Sequence, residues 1–146
     1  MATTTKKNTV GLVWYIVTIV AAVAGLIAYY INSQTSYFSS MGLDTATIAC
    51  AVIAIVLEVV YLIVGLRGTP MWADLLPLAS AVLLIVSAML LLNTRVTSFA
   101  AIISFNNNAS NMSDMYGAIV AIVILAVAAI CSCVASFFDL VKTSDK

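Results

Sequence analysis

Two residues able to do chemistry stand where water is not expected, in a chain without a single histidine. Glu58 lies in AIVLEVVYLIVG, inside an aliphatic run long enough to cross a bilayer, and Arg95 follows LLLNT at the end of another. A carboxylic acid at such a depth can carry a proton, hold a cation, or hydrogen-bond to a neighbouring helix, and an intramembrane ionisable group is functional by default. Counting about 12 Å from the inner end of its segment, at 1.5 Å per residue, places Glu58 level with Thr18 and within two turns of Tyr61 and Ser80. No basic side chain reaches that depth. Glu58 is therefore expected to be a neutral acid bonded to Thr18 or Ser80, because an isolated charge in an apolar medium is too costly.

Arg95 has two readings. The simpler is a charge that snorkels to the outer interface and pairs with Asp44 or Asp114. The other joins Arg95 to Asn106, Asn107, Asn108, Asn111 and Asp114 as a polar outer surface beside an apolar patch of Phe99, Ile102, Ile103 and Phe105. Such a surface could bind a partner protein or a polar solute.

Enzyme chemistry is not indicated. Without histidine there is no imidazole for acid–base work, zinc or haem, and the sequence has no Gly-rich phosphate loop, metal-ligand spacing or nucleophile beside a base. Cys50, Cys131 and Cys133 fall inside apolar segments and read as small buried hydrophobes rather than a disulfide framework. The expectation is a protein with no enzyme activity, metal or cofactor. Six basic and six acidic residues cancel, which gives no pull toward nucleic acid.

The elements that must position these residues follow from composition. Of 146 residues, 64% are hydrophobic and 8% charged, where a soluble domain carries roughly 25% charged. The mean hydropathy is +1.16. Four apolar stretches, at about 10–31, 45–66, 75–92 and 115–138, approach or exceed the ~20 residues that cross a hydrocarbon core. The opening MATTTKKNTV lacks a clear cleavage site after it, so the first stretch is expected to be retained as a span. Lys6, Lys7, Arg67, Lys142 and Lys146 fall on one side and only Arg95 on the other, which puts both termini in the cytoplasm.

Helical spacing then sorts the faces. Thr47, Cys50, Ala51, Ala54, Glu58, Tyr61 and Gly65 share one side of span 2, and Gly11, Trp14, Tyr15, Thr18, Ala21, Ala22, Gly25 and Tyr29 share one side of span 1. Span 3 offers Pro77, Ser80, Ala81, Leu84, Ser87 and Ala88, and span 4 offers Gly117, Ala121, Ala128, Cys131, Ser132 and Ala135. Small and hydroxyl residues let membrane helices approach, while branched aliphatics face lipid. Asp44 and Ser113 are expected to cap spans 2 and 4. Beyond Leu92, span 3 either continues as a helix, with Arg95 on its inward face, or gives way to a short amphipathic helix at the outer interface.

The stretch RVTSFAAIISFNNNASNMSD and the ending VASFFD are similar to small uncharacterised four-span membrane proteins of gram-positive bacteria, a likeness that covers the layout and implies no activity. Four short spans with one membrane glutamate also resemble the small multidrug resistance exporters. Their essential glutamate is in the first helix, however, and span 1 here has no acidic residue. The sequence thus predicts a single all-α domain over 1–146, an integral antiparallel four-helix bundle with several passes through the cell membrane. The expected role is an accessory or scaffolding subunit acting through its outer loop and bundle surface. The alternative is an oligomeric proton- or cation-coupled transporter or channel using Glu58. Its partners are the lipid bilayer and another membrane protein or a second copy.

Overall fold

A computed structural model describes residues 4–68 and 70–144; Lys146, one of the basic residues used for orientation, lies outside the described residues. Helix α1 spans Thr9–Ser33, α2 Thr45–Gly65, α3 Leu75–Ser104 and α4 Ala109–Ala135, with a 3-10 turn at Met71–Asp74 leading into α3. Each of the four is long and apolar enough to cross a membrane, with mean hydropathy from 2.4 to 3.0 over its most apolar stretch. Two short strands, β1 (Thr4–Lys7) and β2 (Val141–Ser144), pair antiparallel with Lys7 opposite Val141. The bundle end carrying this pair is the termini end; the other, holding the α1–α2 and α3–α4 links, is the loop end.

Local chemistry sets the boundaries. Asp44 caps α2 as expected, its carboxylate accepting from the Thr47 amide at 2.8 Å. At α4 the cap is Asn108 rather than Ser113: the Asn108 side chain accepts from the Asn111 amide at 2.8 Å, and the helix starts ahead of Met115 and stops short of Phe138. Asparagine ranks with serine at this position, and taking Asn108 puts the whole SNMSD stretch inside the first turns. Helix α3 runs unbroken past Leu92, so no separate interfacial helix forms. No Gly or Pro interrupts LNTRVTSFAAII, and Leu91, Arg95, Ser98 and Ile102 extend the buried face begun by Pro77, Ser80, Ala81, Leu84, Ser87 and Ala88. The helix is about 45 Å long at 1.5 Å per residue.

Helix α1 packs chiefly on α4, α4 on α3 and α3 on α2, while α1 and α2 meet sparingly. The central core joins Ala22, Ala51, Ala54, Ala88, Ala121, Ala128 and Ala129 to Leu84, Leu91 and Leu125. Alanine and glycine here let backbones come close: a Cβ on Gly25 would sit 2.8 Å from Leu125 Cδ2. Outward positions are branched aliphatics, Val20 at 61% exposure and Ile130 at 63%, a surface suited to lipid. At the termini end Asn8 closes α1 onto the chain after α4, its amide donating to Leu140 O at 2.9 Å and its Nδ2 to Asp139 O at 2.8 Å. At the loop end Asn32 Nδ2 donates to Asp114 O at 2.8 Å, again from α1 to α4.

Candidate functional site

Glu58 is 1% exposed on the buried face of α2. Ser80 stays within reach of Glu58 although its hydroxyl donates to Ala54 O at 3.0 Å; the closest partner is not Thr18, whose hydroxyl donates back to Trp14 O at 2.9 Å. It is Ser132 on α4, whose Oγ lies against Glu58 Oε1 and 3.2 Å from Pro77 O on α3, placed as a donor to both. One hydroxyl proton cannot serve two acceptors. Both contacts are satisfied when Ser132 donates to Pro77 O and accepts from a Glu58 O–H, an arrangement that requires the neutral acid. Glu58 Oε2 is buried with no partner among the described residues. Tyr61, one turn on, packs its ring 4.8 Å from that of Tyr15 rather than bonding Glu58. Ser132 was not among the partners expected for Glu58; its place on the small-residue face of span 4 was the available signal.

Arg95 does not snorkel. It is 2% exposed, with its guanidinium carbon 4.4 Å from the Phe38 ring centroid and 5.7 Å from that of Tyr29. The cause is the α1–α2 link, which folds back over α3 and buries Phe38 completely. Nη1 donates to the weak acceptor Met41 Sδ at 3.4 Å and Nη2 to Ser33 Oγ at a long 3.5 Å, and Nε has no partner among the described residues. The expected pairing with Asp44 or Asp114 is not made. Asp44 is used in its cap; Asp114 accepts from the Tyr37 amide at 3.1 Å and Ser36 Oγ at 3.2 Å, pinning the link from α4.

Nor does the asparagine cluster join Arg95. Asn108 caps α4, Asn111 Nδ2 donates to Asn106 O at 3.0 Å, and Asn106, Asn107 and Asn108 are exposed. The apolar patch is split as well. Ile102 is buried with Phe38, Met115 and Ala118, Phe99 packs against that cluster, and Ile103 and Phe105 point outward at 58% and 87% exposure. No family model, curated protein or solved structure matches this chain.

The two polar centres therefore carry the chemistry. Around Glu58, hydroxyls and carbonyls from three helices converge without a second charged group, an arrangement that holds helices together. Serines elsewhere do the same between α3 and α2, where Ser87 Oγ donates to Thr47 O at 2.8 Å alongside the Ser80 bond. Around Arg95 the direct neighbours are aromatic rings, a thioether and hydroxyls, and the nearest carboxylate, Asp44, acts on it only across the shared cavity. The aromatic and sulfur neighbours of Arg95 were illegible in sequence, since Phe38 and Met41 lie in a serine-rich link with no periodic pattern.

Proposed function

We propose that this protein is an accessory or scaffolding subunit of the cell membrane: a single antiparallel four-helix bundle with both termini cytoplasmic, joined through its bundle surface to another membrane protein or to a second copy. The observation that carries this reading is the Glu58–Ser132–Pro77 junction, which consumes the one acid in the middle of a span as a lock between α2, α4 and α3. The clefts of about 640, 340 and 290 Å³ are lined by other residues, so Glu58 faces none of them. Interhelical hydrogen bonds of this kind contribute about 0.6–2 kcal/mol each. The aliphatic surface of Val, Ile and Leu is left for lipid and for partner helices.

Transport through Glu58 is the competing reading, favoured by its unpartnered Oε2. The two separate in proteoliposomes under an imposed pH gradient. The accessory reading expects no proton or cation flux from wild type and the same oligomeric assembly from Glu58→Gln. A flux that wild type supports and Glu58→Gln loses would overturn it in favour of transport.

A further inference from the structure

The loop end of the bundle holds an open cavity of about 640 Å³ whose lining includes Tyr29, Met41, Asp44, Ala46, Thr94 and Arg95. Its volume falls in the range of small-molecule sites, roughly 300–1,000 Å³. Three features bear on its occupant. Arg95 lines it while 98% of its surface is covered, and its partners include no carboxylate and leave Nε without an acceptor. A guanidinium cannot shed its charge, and burying one with its nearest carboxylate, Asp44, at a distance and held in a helix cap costs several kcal/mol. Thr45 and Ala46, at the start of the 21-residue α2, lie at the same cavity, where their amides lack intrahelical acceptors while that of Thr47 is taken by the Asp44 carboxylate.

Depth supplies the third feature. Arg95 stands twenty residues beyond the start of α3, about 30 Å along the helix at 1.5 Å per residue and so at the far edge of a ~30 Å hydrocarbon core. Anionic phosphodiesters are concentrated there. Asp44 also lines the cavity, and its negative charge, although engaged with Thr47, weighs against a doubly charged ligand. We infer that this cavity binds a monoanionic phosphodiester, its oxygens taking donors of Arg95 that now meet only a thioether, a hydroxyl 3.5 Å away and, at Nε, nothing. The source is either the headgroup of a membrane lipid or a soluble phosphodiester. The inference stands apart from the scaffolding role and does not depend on it.

Purified protein in an uncharged maltoside detergent is titrated with dihexanoyl phosphatidylglycerol, with dimethyl phosphate, and with dihexanoylglycerol as a chargeless control, and both heat of binding and Tm are followed. Saturable 1:1 binding of one or both phosphodiesters is expected, with none for the control. Arg95→Gln should weaken it at least about tenfold, the loss of one charge-assisted contact. Ala46→Trp, at an exposed position of the mouth, should weaken binding while leaving Arg95 and the fold intact, which keeps the test decisive if Arg95→Gln fails to fold. Binding of phosphatidylglycerol alone identifies a lipid headgroup as the ligand, and binding of both identifies a site that soluble phosphodiesters reach. Absence of saturable binding by either phosphodiester, or binding unchanged by Ala46→Trp and by whichever Arg95 variant folds, overturns the proposal.

Discussion

Near the termini end a carboxylic acid is buried among hydroxyls and carbonyls; at the loop end a guanidinium is buried among rings and sulfur. The first arrangement needs no counter-charge, because an acid can keep its proton and become one more neutral hydrogen-bonding group, at the cost of one unpartnered oxygen. The second is not, because arginine has no neutral form within reach. Burial to a similar extent, 1% exposure against 2%, thus leads to opposite energetic positions. One residue needs no counter-charge, and the other has only the more distant Asp44 for one.

The sharpest way to break this contrast is Ser132→Leu. It places a larger side chain at a fully buried position and removes the hydroxyl that donates to Pro77 O and accepts from Glu58. Overpacking and orphaned polar groups together should cost about 3 kcal/mol or more, read as a large fall in Tm in mild detergent. Arg95→Met should act in the opposite direction. The cation–π attraction it removes, roughly 0.5–2 kcal/mol per ring, is smaller than the several kcal/mol of uncompensated desolvation recovered. In phosphodiester-free detergent Tm should therefore rise, by an amount corresponding to about 1–3 kcal/mol. A fall would mean that Arg95 is already neutralised within the protein and would erase the distinction between the two ends.

Smaller effects sharpen the comparison. Asp114→Asn keeps one acceptor but loses the charge that holds Tyr37 and Ser36, and should destabilise by about 1 kcal/mol. Faster amide exchange of the α1–α2 link, as its hold on α4 weakens, would accompany the change. Glu58→Gln should be nearly silent, within about 0.6 kcal/mol of wild type, and should abolish an infrared carbonyl band of a protonated carboxyl at neutral pH. If wild type shows only the carboxylate band there, the neutral-acid account of the Ser132 junction fails.

Much of the arrangement was legible in the residues. The small-residue faces of α1 and α2 are the buried ones, apart from half-exposed Trp14, Ala21 and Cys50, because helical periodicity and side-chain size report directly on how closely backbones can approach. The inward placement of Glu58 followed from the same count, and that of Arg95 only on the alternative in which span 3 continues as a helix, against the simpler reading of a snorkelling charge. What was not legible was pairing. Which hydroxyl meets Glu58 depends on how α2, α3 and α4 are set against one another, which the periodicity of each helix taken alone does not fix. The surroundings of Arg95 depend on an aperiodic link that folds back, held by one aspartate more than seventy residues away. Single-sequence periodicity carries no information about either.

The attachment of α1 to α4 has a consequence for how the molecule is made. Its first helix finds its principal neighbour only in its last, through Gly25 against Leu125, Asn32 against Asp114 and Asn8 against Leu140. During synthesis α1 must enter the bilayer and remain largely unpartnered while α2 and α3 follow, since long-range contacts form only once the intervening chain is available. The emergence of α4 then closes the ring of contacts in a late step. Truncation before Leu125 should leave α1 undocked and open to quality-control proteases, whereas the α2–α3 hairpin, assembled from neighbours in sequence, should already be in place.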